Sequence, residues 1–168
     1  GVHEAGVPVD MFGLYRQAIA AGQFPIRLYS MITPDELDSF CAEHPDGIAD
    51  ASGRLAVRAL KLYADGALGS RGAALLADYA DAPGTRGLLL YTPESLTEVV
   101  ARAMRCGLQV ATHAIGDAGN RAVLDAYETA IAETGGGRGR HRLEHAQVMT
   151  LADIERVAAL GVVASVQP

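Results

Sequence analysis

The chain has 168 residues, 49% hydrophobic and 20% charged, a balance that supports one domain with a sizeable core and excludes a disordered chain. With 14 Lys and Arg against 20 Asp and Glu, the formal charge is -6, so no general electrostatic grip on nucleic acid or anionic lipid is expected. No apolar run reaches the roughly 18 to 20 residues that span a bilayer, and Cys41 and Cys106 stand in no ligand-like spacing; they read as core thiols of a reducing interior, which favours the cytoplasm.

Residues 2–5 read as a first short strand. Met11, Leu14, Tyr15, Ala18 and Ile19 keep helical spacing up to Gly22, and 24–32 reads as a second strand. Thr33-Pro34-Asp35-Glu36 has a capping hydroxyl, a proline at the first helical position and a glutamate three residues on, the pattern of a capping box. A third strand covers 56–63. The segment 65–91 follows, rich in Gly, Ala and Asp; it is too long for an ordinary βα connection, which marks a lid or substrate loop. Thr92-Pro93-Glu94 opens a helix carried by Leu96, Val99, Val100, Ala103 and Met104, closed by Gly107 ahead of a strand over 108–113. Asn120, Val123, Leu124, Tyr127 and Ile131 carry the next helix, ended by the glycines of 135–139, and 141–146 reads as a strand. Thr150 with Asp153 starts a helix through Ile154, Val157, Ala158 and Leu160, closed by Gly161 before a sixth strand over 162–168.

Strands alternating with helices favour a parallel sheet with right-handed crossovers, either doubly wound or a β/α barrel. Both place ligands at the C-terminal ends of the strands, so polar residues there matter most. Lys61 follows Val57 and Ala59 at strand period and is expected on their face, buried among apolar neighbours. Burial lowers an amine's pKa; such a lysine serves as a Schiff-base amine, as a carboxylation site, or as a snorkelling side chain. His113 and His145 end consecutive strands, which lie roughly 4.8 Å apart in a parallel sheet, so both rings can reach one metal ion. One strand-end histidine alone is as a rule structural; two, with a buried lysine upstream, form a candidate metal set. His44, before Pro45, reads as solvated and His141 as structural. The glycine-rich run 66–72 has neither dinucleotide nor P-loop spacing. It reads as a flexible substrate loop, with Arg71 either an anion contact or a solvated charge.

Four stretches carry a family resemblance: Lys61-Leu62-Tyr63-Ala64-Asp65-Gly66-Ala67-Leu68-Gly69-Ser70-Arg71-Gly72, Ala111-Thr112-His113-Ala114-Ile115-Gly116-Asp117, Arg142-Leu143-Glu144-His145-Ala146-Gln147 and Ala164-Ser165-Val166-Gln167-Pro168. In that order they resemble the YtcJ-like branch of the metal-dependent amidohydrolase superfamily, and Val2-His3-Glu4-Ala5-Gly6-Val7 resembles its second barrel strand. The resemblance implies a distorted TIM barrel holding one or two divalent ions, usually zinc, that activate water to hydrolyse non-peptide C–N bonds such as N-acyl or N-formyl amides. It assigns Lys61 to the fourth-strand lysine, which CO2 can carboxylate into a metal-bridging carbamate, and His113 and His145 to the fifth- and sixth-strand ligands.

The first-strand His-x-His pair, the eighth-strand Asp and the small β-sandwich of that family have no counterpart in this sequence. His3 has no His two residues away and cannot replace the pair. The expectation is therefore a partial TIM barrel over residues 1–168, spanning strands two to seven. With two ligands and the general base missing, the isolated chain is expected to be nearly inactive, acting on a small-molecule amide only as part of a larger site. The alternative is a non-catalytic binding or regulatory protein on the same scaffold. Unpaired edge strands lead us to expect a homo-oligomer.

Overall fold

The computed structural model describes residues 1–137 and 139–167. Six parallel strands lie side by side in chain order: β1 (Val2–Val7), β2 (Leu28–Ile32), β4 (Leu55–Tyr63), β5 (Gln109–Ala114), β6 (Arg142–His145) and β7 (Val163–Ser165). A two-residue β3 (Ile48–Ala49) is added antiparallel to β4. A doubly wound sheet reverses its strand order at a switch point. This order never reverses, so the sheet is a partial TIM-type barrel. The expected continuation of the last strand to Pro168 lies outside the described residues, as does Arg138 between two of the glycines that end the fourth helix.

Helices α1 (Met11–Ala20), α2 (Leu37–Glu43), α3 (Pro93–Arg105), α4 (Asp117–Thr134) and α5 (Leu151–Ala159) make the crossovers. Leu96, Val100 and Met104 of α3 and Val123, Leu124 and Tyr127 of α4 are buried with Leu60, Leu62, Val110 and Leu143 of the sheet. Each such large apolar side chain contributes about 1.5–3 kcal/mol by leaving water. A separate cluster of Met31, Ala59 and Ala111, with Tyr29 beside it, lies on the inner face of the sheet. Helix ends follow the sequence: Thr92 and Thr150 accept the N–H groups of Ser95 and Asp153 at 3.2 Å, and Gly22, Gly107 and Gly161 have positive φ.

Three expectations are corrected. Ser30 pairs with Val57 but Met31 with Ala59, so Arg58 is an extra residue in β4. That bulge puts Val57 in the helix-side core, while Ala59 and Lys61 share the inner face; strand period cannot be carried across a bulge. Thr33 caps no backbone N–H. Its hydroxyl bonds the Glu36 carboxylate at 2.8 Å, whose other oxygen takes Val9 N–H at 3.0 Å, and residues 34–36 form a 3-10 turn ahead of α2. Finally, Cys41 of α2 and Cys106, which ends α3, are not core thiols but form a disulfide, with Cα atoms 5.7 Å apart. Among the described residues, no helix is long and apolar enough to cross a membrane.

Candidate metal centre

Parallel pairing brings the C-terminal ends of β4, β5 and β6 together, with Lys61 opposite Ala111, Tyr63 opposite His113 and Ala114 opposite His145. Lys61 is 4% exposed. Its Nζ donates to the Leu62 carbonyl at 2.7 Å and lies 3.7 Å from the centre of the Tyr63 ring. Burial pushes this amine down to about 8, opposed by the negative charge of Glu144 and reinforced by Arg142. A fraction of this amine is thereby neutral near neutral pH.

The rings of His113 and His145 meet edge to face, their centres 4.7 Å apart, and the Tyr63 ring lies 5.6 Å from His113. His113 Nε2 faces two acceptors, the Gly66 carbonyl and Asp65 Oδ1, each at 3.4 Å. His145 Nδ1 lies 2.7 Å from Gln167 Oε1. These acceptors assign the ring hydrogens to Nε2 of His113 and Nδ1 of His145, leaving Nδ1 and Nε2 respectively with lone pairs. A ligating histidine is commonly held in this way, its second nitrogen donating to an oxygen behind it. Burial also pushes the His113 imidazolium below the usual histidine range, which favours the neutral, ligating form. The donor set of two imidazoles and one amine whose pKa burial lowers therefore fits a borderline-soft divalent ion. Among the described residues, no three His, Cys, Asp or Glu side chains form a cage by themselves.

His145 and Ala146 have φ of 80° and 46°, a region that L residues rarely adopt. Such strain gathers at functional sites, where the surrounding structure holds it in place. A cavity of about 200 Å³ lined by His145, Ala146, Gln147, Val166 and Gln167 opens beside it. Larger hollows lie elsewhere, one between α3 and α4 and one at the opposite end of the inner face, near His3 and Arg142.

The other candidates fall away from this cluster. His3 packs at a tilt against Tyr29, ring centres 5.0 Å apart, and contacts Arg142 Nη1 through Nδ1 at 2.6 Å. His141 is buried, with both ring nitrogens bonded to backbone, as expected. Arg71 is exposed and pairs with Asp81 within the same loop, at 3.0 Å. That loop is folded on itself, Leu75 N–H reaching the Arg86 carbonyl and Leu90 N–H the Ala64 carbonyl. Spacing assigns no role to Asp65, which is buried beside His113, and gives Asn120 only a place on a helix face. The signals were present: a carboxylate two residues beyond a strand end, and an amide in an otherwise apolar helical stripe.

The amidohydrolase family profile matches residues 8–168. The chain is 35% identical to the Bacillus subtilis protein YtcJ, an amidohydrolase by name, over 92% of its own length and 28% of that protein's. It is 43% identical to LONG AFTER FAR-RED 3 of Arabidopsis thaliana over 65% of this chain and 19% of that protein, and 29% identical to N-substituted formamide deformylase of Arthrobacter pascens over 96% and 30%. Crystal structures of uncharacterized metal-dependent hydrolases from Pyrococcus furiosus and Pyrococcus horikoshii superpose on the whole chain with a TM-score of 0.87, at 31% and 33% identity, and this chain covers 34% and 33% of them. It thus spans about a third or less of the length of each of these relatives, and the profile match over nearly all of its residues shows that the chain belongs to the amidohydrolase family.

Proposed function

We propose that this chain is the metal-binding part of an enzyme that hydrolyses a non-peptide C–N bond, with Lys61, His113 and His145 as ligands to one or two zinc ions. The observation that carries the reading is the edge-to-face pair of imidazoles, each with one nitrogen turned to an oxygen and one left open, on the two strands that follow the one bearing Lys61 in the sheet. A divalent ion held there supplies Lewis acidity to a substrate carbonyl and acidifies water toward pH ~7. Lys61 in its neutral form attacks CO2, forming an N–C bond and releasing one proton; the product is an anion suited to hold cations. Tyr63, half exposed beside both Lys61 and His113, offers an aromatic wall to a substrate.

An N-formyl or N-acyl amide is the substrate class we favour, the former by likeness to the named deformylase. Arg71 contacts an anionic substrate group only by exchanging Asp81 for it. The test is zinc content after gel filtration in bicarbonate, with an amide-hydrolysis screen run on the same sample. Zinc retained by the parent and lost in His113→Ala and His145→Ala is the expected result, with weak turnover by the isolated chain. Equal zinc in the parent and both variants would sink the ligand assignment.

A further inference from the structure

Three residues outside the ligand set converge on the turn after β5. Asp65, with its side chain wholly buried beyond the end of β4, accepts the N–H groups of Ile115 at 3.0 Å, Gly116 at 2.8 Å and Ala74 at 2.9 Å. Asn120, also wholly buried, donates through Nδ2 to the carbonyls of Gly116 at 2.9 Å, Ile115 at 3.3 Å and Val148 at 3.1 Å. Val148 lies three residues beyond His145, and Ile115 two beyond His113. Gly119 lies between them. A Cβ added there would overlap the Asp65 carboxylate, so glycine is what lets α4 come this close.

These contacts run without a break from the end of β4, through the β5–α4 turn, to the segment after β6. Asp65 also stands 3.4 Å behind His113 Nε2. A buried carboxylate and a buried primary amide are costly to desolvate unless they are bonded; Asn120 is bonded through Nδ2, its buried Oδ1 having no partner among the described residues. Here their bonds are made to the three segments that bear the candidate ligands, rather than within one element.

We propose that Asp65, Gly119 and Asn120 are positioning residues, forming a buried clasp that fixes the ends of β4, β5 and β6 relative to one another and so sets the spacing of Lys61, His113 and His145. The consequence for metal rests on the reading under Proposed function; the clasp itself rests on contacts within this chain.

The experiment is cobalt(II) titration of the full chain in bicarbonate, read by the visible bands of the bound ion, with urea unfolding of every variant alongside. Asp65→Asn and Asn120→Ala each remove clasp bonds, and Gly119→Ala displaces the Asp65 carboxylate while deleting no polar group. Each is expected to weaken cobalt binding about 10- to 100-fold, as loss of an outer partner does at other metal sites. Tyr127→Phe is the control, because its hydroxyl bonds Thr112 and the Val110 and Arg142 carbonyls on the helix side of the sheet. It lowers stability and is expected to leave cobalt affinity within about twofold. Equal weakening in Tyr127→Phe at matched stability overturns the proposal.

Imidazole 15N shifts of the metal-free chain separate the clasp from the metal reading. In the parent they report His113 with its hydrogen on Nε2. The three clasp variants are expected to move it toward a mixture of tautomers, and Tyr127→Phe to leave it unchanged. A parent that binds no cobalt defeats the metal reading alone, and the shifts then decide the clasp: no change in any of the three variants overturns it.

Discussion

His141 and His145 lie at opposite ends of β6 and are set to opposite uses. His145 keeps one nitrogen open at the strand end, in a strained conformation. His141 uses both: Nδ1 accepts Val110 N–H at 3.1 Å, and Nε2 donates to the Gly136 carbonyl at 2.9 Å. Burial pushes its pKa below the usual value, and protonation would take away the acceptor that Val110 needs. The unfolded residue titrates near pH ~6.5, so below that the unfolded chain holds the extra proton. Stability from neutral His141 is thus complete above about pH 6.5 and is lost as pH falls through the depressed folded value. Urea unfolding between about pH 7 and pH 5 should show a shallower loss for His141→Gln than for the parent; the same slope in both proteins would refute it. His113 and His145 were legible because strand ends can be read from alternation. The positions of Asp65 and Asn120 can be singled out in the same way, but their partners cannot, since the backbone groups they bond lie up to 51 and 28 residues away in sequence.

Neighbour relations decide what happens between elements, and spacing along the chain does not reveal them. Cys41 and Cys106 are 65 residues apart and meet because α2 and α3 are consecutive crossovers, before and after β4. The same limit hid the Arg58 bulge, which turns Val57 away from the face of Lys61: a one-residue slip moves a strand's side chains to the other side. Closing a loop of this length removes unfolded-state entropy equivalent to about 4 kcal/mol, of which real disulfides deliver about 2–4. Reductant, or Cys106→Ser, should therefore lower the free energy of urea unfolding by about 2–4 kcal/mol. Alkylation in urea without reductant should label neither cysteine. Two labelled thiols in the unreduced chain would show that the bond does not form.

At the scale of the molecule, the burial of large apolar residues is uneven in a way that follows the sheet order. The central helices α3 and α4 bury Leu96, Val100, Met104, Val123 and Leu124, whereas the outer ones leave Leu14 of α1 56% exposed, and Leu151 and Ile154 of α5 81% and 51%. Val166, just beyond β7, is 63% exposed. β1 and β7 are the ends of the strand order and have no partner on their outer sides among the described residues. Unpaired edges flanked by apolar surface favour association with another copy. Native mass spectrometry at micromolar concentration should accordingly show dimers or larger species of this chain. Ile154→Lys with Val166→Lys, placing charge beside the β7 edge, should shift the population toward monomer while leaving the buried centre of the sheet untouched. A parent that is monomeric throughout that concentration range would show that the exposed ends do not pair.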